Sequence, residues 1–158
     1  MVEYIKNTIK IKIICPVHGI FEMIPNAHLS GQSCSKCKAS KGETKIETCL
    51  KYFNISYQSE IKLKECKYIR PLPFDFGIFN NTNKLIGLIE YHGMQHYKPI
   101  KFMGGIENFK IRKKNDLIKQ TYCLENNIPL LVISYNEFSI IEKILISYLY
   151  ANITAINK

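Results

Sequence analysis

The period of apolar and polar positions changes several times along the chain, and each change marks an element. Over residues 8–14, isoleucines alternate with lysines (Ile9, Ile11 and Ile13 against Lys10 and Lys12), the period of two of a half-buried strand. A second short apolar run, Ile20–Ile24, follows the Cys15-Pro16-Val17-His18-Gly19 turn, so the two runs predict a β-hairpin with a knuckle at its tip. Pro25–Gly31 reads as a turn or one helical turn, and Ser40-Lys41-Gly42 as a junction. From Glu43 the spacing becomes three and four (Ile46, Glu47, Leu50, Phe53), which predicts a helix over about 43–53 with Ser40 as an upstream cap. An extended piece over 55–63, a strand over 72–79, the turn Asn80-Asn81-Thr82-Asn83 and a strongly apolar strand over 84–92 come next; the last two form a hairpin. After the glycine-rich loop 103–105 the pattern predicts a helix over 109–125 that stops at Asn126-Asn127, a strand over 128–135 and a helix over 137–150. The order implies an α/β domain, a mixed sheet flanked by helices, behind a small β-hairpin module.

A chain of 158 residues accommodates such a module of about 40 residues, here 1–40, and a domain of ordinary size, 41–158. Its 46% hydrophobic content argues for a folded protein. A formal charge of +9 favours a polyanionic partner, because Lys and Arg gain affinity by displacing counterions from phosphates. The basic residues concentrate at Lys62, Lys64, Lys67 and Arg70, and again at Lys110, Arg112, Lys113 and Lys114. No apolar run has the length of a signal peptide or a membrane span, so an intracellular protein that is neither secreted nor in a membrane is expected. Intracellular thiols stay reduced, which turns the six cysteines into candidate metal ligands or core residues.

Cys15-x2-His18 and Cys34-x2-Cys37 are two ligand pairs with fifteen residues between them. Each pair suits one tight turn on a tetrahedral zinc, and four protein ligands close the coordination, so the zinc is structural. His28 is the alternative to His18, whereas Cys49, Cys66 and Cys123 have no partner at ligand spacing and read as core residues. The stretch Cys-Pro-x-His-Gly-x-Phe followed by Pro-Asn-x-His-Leu-x-Gly-x-x-Cys-x-x-Cys resembles a small zinc-finger module of phage and large-virus proteins, often found ahead of nuclease domains. The resemblance covers about residues 5–38 and implies a DNA-binding accessory.

Chemistry is expected from a second set. Asp75 interrupts the apolar strand Pro73-Phe74-Asp75-Phe76; by strict alternation Phe74 and Phe76 share one face and Asp75 takes the other. In Leu88-Ile89-Glu90-Tyr91-His92 the polar pair Glu90 and His92 shares a face, and pairing of the two strands brings Asp75 beside them, with Gln95 and His96 just beyond Gly93. One of Glu43 and Glu47 is expected to face inward, and Asp116 and Lys119 share a helix face. Carboxylates that hold a hard cation, with a neighbouring proton carrier, are what metal-dependent phosphodiester cleavage needs.

The order Gly42-Glu43, Leu72-Pro73-Phe74-Asp75-Phe76, Ile89-Glu90-Tyr91-His92-Gly93-x-Gln95-His96-Tyr97, Asp116-x-x-Lys119 and Ile128–Tyr135 resembles the PD-(D/E)xK nuclease superfamily. Within it, the sequence is similar to the very-short-patch-repair-like branch and to phage homing endonucleases with an E-D-x-H-D pattern, over about 42–145. The resemblance implies a restriction-endonuclease-like fold and a DNA endonuclease acting on duplex DNA with Mg²⁺ or Mn²⁺, as a homodimer if both strands are cut. It also implies Asp75 as central metal ligand, assisted by Glu43 and by Glu90 or the Tyr91 carbonyl. His92 stands where the superfamily has lysine, Asp116 is the last acid, and Lys119 or His96 shares the charge-balancing or water-activating role. The alternative is a catalytically degenerate nucleic-acid-binding protein.

Overall fold

The computed structural model describes residues 6–16, 19–30, 32, 34 and 40–154. The chain divides into two compact units, Met1–Ser40 and Lys41–Lys158. In the first, β1 (Ile11–Cys15) and β2 (Gly19–Met23) pair antiparallel with Cys15 opposite Gly19, and α1 (Pro25–Leu29) follows.

The second unit contains α2 (Lys41–Tyr52), β3 (Ser56–Lys67), β4 (Pro71–Phe79), β5 (Leu85–His92), α3 (Gly105–Glu125), β6 (Leu130–Ser134) and α4 (Ile141–Thr154). Its sheet has the order β3-β4-β5-β6, antiparallel except for the parallel pairing of β5 and β6. This is the mixed sheet flanked by helices that the pattern predicts. Two apolar clusters hold it. Ile46 and Leu50 of α2 and Ile141, Leu145 and Leu149 of α4 pack with Phe76, Ile78 and Ile89, while Cys123 of α3 packs with Ile61, Cys66, Phe74 and Leu88. Leu88 and Ile89 are successive strand residues in different clusters, so α2 and α4 cover one face of the sheet and α3 the other. Close packing shows at Gly87, where any Cβ would overlap the Tyr148 hydroxyl; that hydroxyl donates to the Pro129 carbonyl at 2.8 Å.

Three expectations need correction. Phe74 and Phe76 do not share a face: they belong to the opposite clusters. Across the ladder Ser59 pairs with Phe76 and Ile61 with Phe74, and Glu60 between them has a left-handed φ of 52°. The alternation of β4 breaks at Asp75, beside this irregular residue of β3. The last helix starts at Ile141 rather than 137, because Ser134 and Glu137 form a capping box that winds Tyr135–Ile140 into a 3₁₀ segment. Strand β3 continues to Lys67, beyond the expected 63. No helix among the described residues is long and apolar enough to cross a membrane.

Candidate active site

Of the four cysteine and histidine residues assigned to zinc, Cys15 and Cys34 are buried, and His18 and Cys37 lie outside the described residues. The alternative ligand His28 is exposed, its Nδ1 3.2 Å from the Gln32 carbonyl oxygen. Cys66 and Cys123 are core residues in unbridged form, as their lack of spaced partners implies.

The acidic set converges at one end of the sheet. Phe76 pairs with Ile89 on the last paired rung of β4 and β5, and Asp75 and Glu90 are the next residue on each strand. Asp75 Oδ2 accepts the Tyr91 backbone N–H at 2.7 Å. On the other side of β5, the Tyr91 ring lies against buried Gly42, where any Cβ would overlap the ring. A glycine there lets the first turn of α2 approach β5, and this brings the Glu43 charge to act on both Asp75 and Tyr91. Glu47 is turned to other partners: it accepts from the Tyr57 hydroxyl and pairs with Lys51, each at 2.8 Å.

Helix α3 supplies the rest. Lys119 Nζ donates to Glu90 Oε1 at 2.7 Å and lies 5.1 Å from the centre of the Phe74 ring, which keeps the ammonium out of bulk water. One turn earlier Asp116 faces two imidazoles. His96 Nδ1 is 2.9 Å from Asp116 Oδ2, and His92 Nε2 is 4.0 Å from Oδ1 and 3.9 Å from Glu90 Oε2. The imidazoles stack at 4.0 Å with planes 14° apart, because Gly93 and the 3₁₀ turn Met94–His96 fold the chain back over the end of β5. Glu90, His92 and Asp116 are 4%, 7% and 6% exposed, so the centre of this cluster is largely dry.

Burial governs the electrostatics. It pushes Asp75 up to about 6 against the pull of the Tyr91 N–H, with Glu43 adding to the rise. It pushes Glu90 up to about 7 against Lys119, with Asp75 adding to the rise. His92 is driven down to about 4 by burial and by His96, so its ring is neutral near pH 7. For Asp116, burial works upward, but the His96 hydrogen bond and the surrounding histidine and lysine charges outweigh it and hold the carboxyl below its usual range.

Among the described residues, the set of three whose ligand atoms lie within 4.8 Å of one another is His92, His96 and Asp116. The separations suit an ion, since a tetrahedral site with bonds of about 2.1 Å spaces its ligands by roughly 3.4 Å. The ring directions do not: nearly parallel stacked imidazoles aim their in-plane lone pairs side by side rather than at one point. Asp75, Glu90 and Glu43 have the opposite character, hard oxygen donors, the first two raised above their ordinary range by burial and, less, by the neighbouring negative charge.

Every residue of the expected set therefore falls in one region of the second unit, with Glu43 entering through its charge. Two contributors have no acidic or basic side chain to announce them, Gly42 as a spacer and the Tyr91 N–H as the donor to Asp75. A family described as a protein of unknown function (DUF723) matches residues 1–38. No curated protein and no solved structure matches the chain.

Proposed function

We propose that the Lys41–Lys158 unit is a metal-dependent DNA endonuclease with a restriction-endonuclease-like core, and that the first unit is a zinc-binding module that helps it hold duplex DNA. The observation that carries this reading is the burial of Glu90, His92 and Asp116 beside the partly buried Asp75 at one sheet end, with Lys119 and His96 bonded into the group. Isolated buried charges are unfavourable, and a cluster of them is kept where chemistry requires it.

Asp75 and Glu90 would hold Mg²⁺ or Mn²⁺, with Glu43 strengthening the negative field at Asp75. The fit rests on the donor set: Lys119 is bonded to Glu90 and its charge also acts on Asp75, yet burial still drives both carboxyls toward protonation without further positive charge. A bound divalent ion supplies charge neutralisation at the phosphate and a more acidic water. The Tyr91 N–H fixes one Asp75 oxygen and leaves the other available. Lys119 favours ionised Glu90. Asp116 orients His96 through Nδ1, which leaves Nε2 to accept or deliver a proton. The basic runs at Lys62–Arg70 and Lys110–Lys114 suit phosphate contacts.

The test is plasmid nicking by the purified chain. Cutting in Mg²⁺ or Mn²⁺, none in EDTA and none by Asp75→Ala is the expected result, and cutting by Asp75→Ala refutes the assignment. Salt-sensitive DNA binding with no cleavage under any of these conditions identifies the degenerate binding protein instead. Cutting of both strands at one site requires a second active site and hence a homodimer.

A further inference from the structure

Helix α4 has a side that the cluster described above does not use. Ile141, Leu145 and Leu149 turn inward to the core, and Lys143, Ile146, Ser147, Tyr150 and Ala151 line the outward side, all exposed. Ile146 and Tyr150 stand out into water at 47% and 74% exposure. Helix α2 lies alongside. Lys45 Nζ donates to the Phe138 carbonyl, and the Glu142 charge acts on Cys49, two approaches separated by the same 93 residues, so the helices run in the same direction. Carried on, that offset sets Tyr52, 81% exposed, level with Leu145 and Ile146. The outer surface of the helical layer is therefore marked by Tyr52, Ile146 and Tyr150.

Charge selects what covers this surface. The charged residues of α4 are Glu142 and Lys143, which cancel, whereas α3 on the other face of the sheet carries Lys110, Arg112, Lys113 and Lys114. A polyanion is drawn to the α3 side, and an apolar face without net charge is left for a partner that is itself apolar and neutral where it docks. A second copy of this chain meets that condition here: two chains of +9 repel wherever their basic faces meet, and α4 is free of that repulsion. Its outward residues also complement themselves. When two α4 helices pair antiparallel about a two-fold axis between Ile146 and Ser147, each Ile146 fits over the partner's Ser147, and each Tyr150 ring meets the partner's Lys143. Antiparallel helix dipoles favour the same arrangement. We propose that the protein is a two-fold homodimer joined through the outward side of α4, with Tyr52 of α2 at the rim. The proposal rests on no part of the nuclease reading.

The experiment is sedimentation velocity of the full chain across the micromolar range, in EDTA and after nuclease treatment to remove nucleic acid. A dimer is expected that tightens as salt is raised, because screening weakens the repulsion between two basic chains and leaves apolar contacts in place. Ile146→Asp weakens it roughly 30-fold or more, the loss that a central anchor residue carries. Tyr150→Ala weakens it roughly 5-fold or more, and Tyr150→Phe, which keeps the ring for the partner's Lys143, retains it. Leu124→Asp, at an equally exposed apolar position on α3, leaves the dimer unchanged. All four substituted side chains are on the surface, so circular dichroism of the variants matches the wild type. A monomer at every concentration, a dimer that persists in Ile146→Asp, equal losses in Ile146→Asp and Leu124→Asp, or a dimer that loosens with salt overturns the proposal. Asp75→Ala keeps the dimer while abolishing nicking, so the two readings fail separately.

Discussion

Asp75 gives a test that needs no substrate. Burial raises its folded pKa from 3.8 to about 6, so the folded chain holds a proton that the unfolded chain releases. Stability from this group is fully present below pH 3.8 and is lost as pH rises through 6. At about 1.4 kcal/mol per pH unit, the loss reaches roughly 3 kcal/mol at pH 8 and about half of that at pH 5. Asp75→Asn removes the charge and keeps a carbonyl oxygen to accept the Tyr91 N–H. The variant should therefore be more stable than the wild type by roughly 3 kcal/mol at pH 8 in EDTA, by about half of that at pH 5 and by nothing near pH 3.5. His92 moves both proteins alike: with its pKa lowered to about 4, its contribution is present above 6.5 and is lost as pH falls toward 4, and it cancels in the comparison. Urea denaturation across pH 3.5–8 measures the gap. A gap of constant size, or a variant less stable at pH 8, refutes the burial argument. On the endonuclease reading, Mg²⁺ at pH 8 raises the wild-type midpoint and leaves that of Asp75→Asn unmoved.

Gly42→Ala forces a methyl into the Tyr91 ring and should lower stability by about 1–3 kcal/mol while reducing nicking, with Gly42→Ala/Tyr91→Leu recovering part of the stability in urea melts. Lys119→Met leaves Glu90 buried without its cation, a loss on the order of 3–5 kcal/mol where Glu90 is ionised that shrinks as pH falls and Glu90 protonates; melts at pH 8 and 5.5 compare the two. The zinc reading expects one zinc per chain by elemental analysis, and none after Cys34→Ser together with Cys37→Ser.

Helices and strands were legible wherever one period ran long enough, and the central hairpin of β4 and β5 was legible from two apolar runs and an asparagine-rich turn. Asp75, Glu90 and His92 were legible as charges inside strands that bury their neighbours. What escaped was set by single backbone departures. The left-handed φ at Glu60 gives no sign in a sequence, since glutamate rarely adopts it, and neither does the break of alternation beside it that parts Phe74 from Phe76. The 3₁₀ segment after β6 depends on Ser134 and Glu137 reaching each other's backbone, a contact that competes with the helical period of Glu137–Tyr150. The stacking of His92 on His96 follows from the turn at Gly93, three residues of irregular backbone that no periodicity describes.

That stack divides the labour between the two histidines, which sequence left open. His92 is buried and held neutral, with its Nε2 beyond hydrogen-bond distance of both Glu90 and Asp116. His96 is the more exposed ring and has its Nδ1 fixed by a carboxylate, the arrangement that sets a tautomer and holds the ring in one orientation. A proton carrier needs both a fixed orientation and access to the reacting atoms, so on the endonuclease reading His96 carries the proton and His92 positions it by stacking. His96→Ala should then lower kcat by about 10²- to 10⁴-fold. His92→Phe, which keeps a flat ring against His96, should lower it far less and leave the pH profile in place, whereas His92→Ala frees the His96 ring and lowers kcat further. Equal losses in His96→Ala and His92→Phe, or a pH profile moved by His92→Phe, would instead make His92 the group that exchanges the proton.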